Sequence, residues 1–179
     1  GPHNAIVISS RIRLARNLSK MPMPSFAKEA SSFSALERVR LAFEEMGLAK
    51  QGFNYYNLGE LPLLERQILI EKHLVSPEFV QEKPNRGLII SSDEVISIMI
   101  NEEDHLRIQV LYNGLQLNLA WDKADAVDNM LESKLDYAFD EKWGYLTACP
   151  TNVGTGLRAS VMVHLPALVL TKQAGRIFR

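Results

Sequence analysis

A single cysteine, Cys149, stands in 179 residues. No intramolecular disulfide can form, and a reducing compartment is the natural setting. The chain is long enough to bury a core of its own, so it has no need of covalent or metal staples. No apolar run approaches the roughly 18 residues of a membrane-spanning helix. The N-terminus lacks the basic-then-apolar pattern of a signal peptide. Neither Cys/His spacing for zinc nor an Asp/Asn series for calcium occurs. There is no Gly-x-Ser-x-Gly elbow, and the glycines at 154 and 156 are not followed by the Gly-Lys-Ser/Thr of a phosphate-binding P-loop. No internal repeat, low-complexity tract or interdomain linker is visible.

Acid is missing from both ends. Residues 1–28 hold Arg11, Arg13, Arg16, Lys20 and Lys28 without an acidic residue, and residues 143–179 hold Arg158, Lys172, Arg176 and Arg179, again without one. The net charge of −1 therefore conceals a middle segment, 29–142, with 11 basic and 21 acidic residues. Scatter of surface charge is the bland account. The sharper one is a site whose basic ends hold an anion and whose acidic centre holds a cation.

With 46% hydrophobic and 23% charged residues the composition is that of a soluble globular protein. Ala5–Ser9 reads as a strand, and Arg11 and Arg13 would share a face if the strand continued. Pro22 and Pro24 mark a loop. Ser31–Met46 has amphipathic helical spacing and meets Gly47; Phe53–Leu58 reads as a strand and Leu63–Leu74 as a helix. Gly87–Ser91, Glu94–Asn101 and His105–Tyr112 are strand-like runs separated by short turns, a largely antiparallel meander. In the last of them His105, Arg107 and Gln109 alternate with Leu106, Ile108 and Val110. Leu115–Leu135 predicts a long helix with an acidic face. Tyr137–Phe139 and Gly144–Thr147 are candidate strands, Thr151–Gly156 is a polar loop, Leu157–Leu165 a strand, and Pro166 opens a final helix.

Three constellations could carry chemistry. In Ser9-Ser10-Arg11-Ile12-Arg13, two arginines on one strand face would present forked donors to an anion, although arginines beside a strand are commonly just solvated. In Asn101-Glu102-Glu103-Asp104-His105-Leu106-Arg107, three successive acids fit an exposed turn, or a carboxylate placed to bind a cationic group and accept its proton. His105 is a general base or a partly buried histidine. In Cys149-Pro150-Thr151-Asn152-Val153-Gly154-Thr155-Gly156-Leu157-Arg158, the cysteine is inert core or a reactive thiol beside a polar loop. Arg158 could reach a phosphate.

The segments SSRIRLARN at 9–17, VISIMINEEDHLRIQ at 95–109 and YLTACPTNVGTGLRASV at 145–161 together resemble the guanidino-kinase (phosphagen kinase) family. The likeness runs from residue 5 to the C-terminus. It is strongest to the bacterial branch that phosphorylates arginine in proteins: MINEEDHLRIQ and RASVMVHLPALV are similar to that branch, and the arginine motif begins at residue 9 with no helical domain before it. The resemblance implies an α+β fold, a largely antiparallel β-sheet flanked by helices, of the glutamine-synthetase-like type. It implies transfer of the γ-phosphoryl group of ATP to protein arginine; a kinase of free arginine or another small guanidino compound, or a non-catalytic nucleotide-binding remnant, are the alternatives. It places ATP or ADP on Ser9, Ser10, Arg11, Ile12, Arg13, His73, Arg107, Arg158, Ala159, Ser160, Val161 and Met162, with Mg²⁺ held mainly through the nucleotide phosphates and no protein metal site. Glu103 is implied as the carboxylate that binds and deprotonates the guanidinium. Cys149 is implied as a thiolate beside it, with Thr151 a hydroxyl partner.

The same likeness implies a bacterial cytoplasmic setting, arginine-bearing protein substrates including a stress-response repressor and Clp-protease clients, an activator protein, and no nucleic-acid or membrane contact. Residues 1–179 then correspond to the N-terminal portion of the catalytic domain. A later Arg/Gly-rich nucleotide segment, a second catalytic glutamate and a C-terminal domain are expected in the family beyond Arg179. The expectation is a truncated chain with little or no activity alone, whose exposed sheet edges promote a homo-oligomer.

Overall fold

The alternation that begins at Val7 does not stop at Ser9. In the computed structural model, which describes residues 1–81 and 83–177, a first strand, β1, runs Val7–Arg16. The sequence reading ends it early because arginines follow. β1 has a hydrogen-bonded neighbour on each side. Its backbone is therefore committed along its length, and the arginines are simply its side chains.

The remaining elements are α1 (Glu29–Glu45), β2 (Phe53–Asn57), α2 (Leu63–Glu71), β3 (Gly87–Ser91), β4 (Ile96–Ile100), β5 (Leu106–Asn113), α3 (Leu117–Glu132), β6 (Phe139–Asp140), β7 (Gly144–Tyr145), β8 (Leu157–Val163), α4 (Pro166–Leu170) and α5 (Ala174–Ile177). Six strands form one antiparallel sheet in the order β2-β3-β4-β5-β1-β8, and β6 pairs with β7 alone. The fold is α+β, as the resemblance implies. The expected single final helix is two short ones, parted by a turn in which Lys172 takes a positive φ of 56°. The last two residues of that expectation lie outside the described residues.

Parity along the strands decides what each face carries. Ile12 and Leu14 of β1, Ile108 and Val110 of β5, Ile96, Ile98 and Ile100 of β4 and Ile89 of β3 form the main core. They meet Ala35, Leu36, Val39, Ala42 and Phe43 of α1 and Ala120, Ala124, Val127 and Leu131 of α3. The opposite face has an apolar cover over its β3–β4 half, where Leu88, Ile90 and Met99 pack on Leu58, Leu74, Val75 and Phe79. The 73–74 segment also reaches Gln109 of β5, which is 3% exposed and donates to His73 O at 2.8 Å. α2 lies outside that second cluster, with Leu63 76% and Leu64 72% exposed. Its apolar spacing predicts a buried face, but only Leu69 and Ile70 pack inward. The β5-β1-β8 half of this face has no apolar cover among the described residues. There the strands carry arginine.

Candidate functional site

Antiparallel register gathers the arginines from far apart in sequence. Arg13 stands opposite Arg158 on β8 and Gln109 on β5; Arg11 stands opposite Ser160; Arg107 stands opposite Ala15 and Met99. Four guanidinium groups thus share the uncovered half of the sheet. Among the described residues one of them, Arg107, has an acidic partner, Glu102, at 2.7 Å. Arg11 Nε donates to Ser160 Oγ at 3.4 Å, and among the described residues the buried Nε of Arg13 has no partner. Burial, and then repulsion from Arg107, Arg11 and Arg158, draws the Arg13 pKa down to about 10. Arg11 moves the same way, from burial and from Arg107 and Arg158. These groups stay charged at neutral pH, so the arrangement stores repulsion that an anion would relieve.

The turn between β4 and β5 supplies the acids, and their environments separate them. Asn101 has a positive φ of 60°, which asparagine tolerates, and its Nδ2 donates to Ser32 O and Asn85 O. Glu102 accepts from Arg107 and from Ser76 Oγ at 2.8 Å. Burial alone would raise its pKa, but Arg107 and these donors bring it below the usual carboxylate value. Asp104, 3% exposed, accepts from Asn17 Nδ2 and Ala148 N, each at 2.6 Å. At the apex, the backbone N–H of Glu103 donates to Glu102 Oε2 at 2.9 Å, but its carboxylate has no hydrogen bond or ion pair among the described residues. Burial and the neighbouring Asp104 and Glu102 raise its pKa. Of three consecutive carboxylates, two are tied into the structure and the middle one is free, biased toward taking up a proton.

His105 is no base for a ligand. It is fully buried, its Nδ1 accepts from Leu18 N at 3.2 Å, and burial holds its pKa down at about 4. The imidazole is a neutral part of the core.

Cys149 precedes a short 3₁₀ turn, Pro150–Asn152, and its Sγ lies 3.0 Å from Thr151 Oγ1. The loop bearing it closes on itself. Tyr145 N donates to Gly154 O at 2.8 Å, and a Cβ at Gly144 would stand 2.4 Å from that same oxygen. Arg16, by its even number, faces away from Arg11 and Arg13. It forks onto Asp128 of α3 with Nε at 3.0 Å and Nη2 at 2.5 Å.

Three cavities collect the expected site residues. Ser9, Arg11, His73, Ser160, Val161 and Met162 line one of about 260 Å³. His73 reaches it from just beyond α2, in a left-handed turn with φ 59°. Arg13, Arg107, Arg158 and Glu103 line a second of about 150 Å³, together with Asn152 and Gly156 of the cysteine loop. Glu103 and Arg107 also border an open cleft of about 740 Å³ that runs past Glu29, Glu78 and Lys83. Cys149 lies on the loop bounding the second cavity and does not line it. The side chains of Ser10, Ile12 and Ala159 are not brought to the site. Strand alternation turns them to the other face, where Ser10 Oγ donates to Gly114 O and accepts from Gln116 N, and Ile12 sits in the core opposite Ala159. Backbone is all that these three could offer a ligand.

Sequence reasoning missed the ties that hold the site: Glu102 on Arg107, Asn17 on Asp104, Arg16 on Asp128. One of them left a signal. Asp128 shares the helical face of Ala124, Val127 and Leu131, and an acid on an apolar stripe calls for a buried partner.

A family model described as ATP:guanido phosphotransferase, C-terminal catalytic domain, matches residues 34–179. Protein-arginine kinase from Symbiobacterium thermophilum is 57% identical over 99% of this chain and 51% of its own length. The protein of the same name from Halothermothrix orenii is 54% identical over 99% of this chain and 50% of its own. The chain spans about half the length of the curated relatives it matches. Among solved structures, lombricine kinase superposes with a TM-score of 0.80 at 27% identity, covering 93% of this chain and 50% of that one. The duplicated taurocyamine kinase of Schistosoma mansoni gives 0.85 at 23% identity, over 99% of this chain and 26% of that one, a likeness of fold. An uncovered sheet face with four converging arginines, a free carboxylate between two tied ones, and matches covering most of the sequence lead to one conclusion: this chain belongs to the ATP:guanido phosphotransferase catalytic-domain family.

Proposed function

We propose that this chain carries the phosphate-holding arginines and the proton-accepting carboxylate of a protein arginine kinase. The observation that carries the reading is the cavity shared by Arg13, Arg107, Arg158 and the unpartnered Glu103. A guanidinium is protonated in water, with a pKa above about 12. Glu103 binds it as a cation and takes its proton as the nitrogen attacks the γ-phosphorus. The bond to the ADP bridging oxygen breaks, and ADP leaves with that electron pair. The transferred group spreads negative charge over its oxygens, where the arginines face it, so catalysis rests on positioning and electrostatics. The adjoining cavity with Ser9, Arg11, His73 and Met162 suits the nucleoside end. Cys149, paired with Thr151, would lie beside the guanidinium when the loop meets a substrate.

Among the described residues no three His, Cys, Asp or Glu side chains converge on a metal position. In this reading, which rests on the family likeness, Mg²⁺ would arrive on the nucleotide's phosphate oxygens, where it would offset their charge. The open cleft of about 740 Å³ beside Glu103 leaves room for a polypeptide around the reacting arginine. That is the reason to favour protein arginine over a small guanidino compound, the substrate type that the lombricine and taurocyamine kinases are named for. The repressor, Clp clients, activator and cytoplasmic setting rest on the family likeness. Among the described residues no helix is long and apolar enough to cross a membrane. Self-association would use β8, an outer strand with Leu157, Met162 and Val163 exposed.

Calorimetry with Mg-ADP, followed by incubation with Mg-ATP and either an arginine-rich protein or free arginine, tests the proposal. Binding that Arg158→Ala abolishes is expected, and whatever acid-labile phosphate the chain forms, little by the expectation above, is expected on protein arginine. A chain that binds no nucleotide would overturn the reading, and phosphorylation of free arginine alone would replace it with the small-molecule alternative.

A further inference from the structure

Arg16 faces away from the cavities, yet it touches both ends of the cysteine loop. Its Nε and Nη2 donate to Asp128, and its Nη1 donates to Ala15 O and Thr155 O, each at 2.9 Å. The guanidinium carbon lies 3.6 Å from the centre of the Tyr145 ring. Tyr145 enters the loop and Thr155 leaves it; Cys149 lies between. The arginine and the carboxylate are both buried, at 4% and 9% side-chain exposure, so α3 acts as a fixed wall. Directly after Thr155, Gly156 O accepts from Ala15 N at 2.9 Å, and the chain continues into β8 to set Arg158 opposite Arg13. The loop thus has one foot stacked on this guanidinium and the other hydrogen-bonded to it.

We propose that Arg16 is a positioning residue, whose guanidinium, anchored by Asp128, holds Tyr145 and Thr155 together and so fixes where Cys149 and Arg158 stand beside the Glu103 cavity. The proposal rests on the kinase reading for what that placement serves; the placement itself follows from the contacts. A lysine would keep the charge and lose the result. It has no planar face to stack on Tyr145 and no fork to join Asp128 to a carbonyl. Glycine at 156 belongs to the same device. A Cβ there would stand 2.5 Å from Arg16 Nη1 and 2.6 Å from Ala15 O, on a backbone with φ +63°.

The test uses the fact that Cys149 is the sole thiol. Alkylation of the whole chain by iodoacetamide reports the loop alone, and it is measured well below the melting temperature, beside Mg-ADP affinity. In Arg16→Lys the half-buried thiol should alkylate about tenfold faster and Mg-ADP should bind about tenfold more weakly, displacements of an ångström being enough for such factors. A variant with a lowered melting temperature but unchanged alkylation and affinity would show a purely structural role and overturn the proposal. If Arg16→Lys does not fold, Asp128→Asn weakens the anchor of the guanidinium and leaves the sequence of the loop unchanged. Faster alkylation there supports the proposal, and an unchanged rate overturns it. Failure of the unaltered chain to bind Mg-ADP would sink the kinase reading and leave the alkylation result standing.

Discussion

Glu102 and Glu103 are neighbours with opposite fates, and the difference is one of partners. Arg107 and Ser76 hold Glu102 in its charged form, whereas on Glu103 burial and the neighbouring Asp104 and Glu102 outweigh the pull of Arg107. Glu103→Gln should therefore lower arginine phosphorylation by about 10²–10⁴-fold, the usual contribution of a positioned base, with Mg-ADP affinity little changed. Glu102→Gln should act on the fold instead. It removes the partner of a largely buried arginine and should cost about 1–3 kcal/mol in urea unfolding. The pH profile carries the same distinction. A base must be ionised to act, and the Glu103 pKa is raised, so the transfer rate should fall on acidification at a higher pH than an ordinary glutamate would give. A rate that is level down to the usual carboxylate range would remove Glu103 from that role.

At the scale of elements, the end of β1, the β4–β5 turn and the segment before Cys149 are fastened at one point. Asn17 donates to Asp104 and to Leu146 O, and its Oδ1 accepts from His105 N at 2.9 Å. Asn17→Ala leaves a buried N–H and part of a buried carboxylate unsatisfied, and should cost about 2–3 kcal/mol in chemical denaturation. His105, inside the same junction, adds a pH dependence. Its pKa falls on folding to about 4 from an ordinary value near 6.5. The unfolded chain therefore binds the extra proton first. Stability is fully present above about pH 6.5 and is lost toward pH 4, at no more than about 1.4 kcal/mol per pH unit for one proton. His105→Gln should flatten that part of the profile.

These junctions also mark where sequence reading stops. The meander, the helices α1 and α3 and the shared face of Arg11 and Arg13 all follow from periodicity, because period 2 and period 3.6 are local properties. The extent of β1 does not, since it depends on β5 and β8 pairing with it from about 100 and 150 positions away. Nor can the runs of 9–13 and 158–162 say that Ile12 and Ala159 turn from the site while Arg13 and Arg158 meet. That is a matter of register, which only the paired strands define. The family resemblance singles out Glu103, whose carboxylate stands without a partner among the described residues. The reason it is free and Glu102 is not lies in Ser76 and Arg107, which local sequence does not bring together.

For the whole molecule, the acid-free ends become one surface because β1 and β8 are adjacent in the sheet. Arg11 and Arg13 from one end and Arg158 from the other face the same space, joined by Arg107 from the acidic centre. The folded state therefore carries a repulsion that the unfolded chain, with its ends apart, does not. A polyanion that binds the folded form alone should relieve it. Mg-ADP at a hundred times its dissociation constant should add about 2.7 kcal/mol, raising the melting temperature by roughly 5–10 °C in a chain of this size. Inorganic tripolyphosphate should stabilise in the same direction. Both effects should shrink as salt rises, since part of the gain is the relief of like charges across a screened, partly open face. Arg13→Ala supplies the internal control. With the most strongly perturbed of the four arginines removed, the unliganded chain should melt no lower than the parent, while its stabilisation by Mg-ADP should fall. A parent chain that gains nothing from either polyanion at low salt would mean that the convergence of the arginines has no binding consequence.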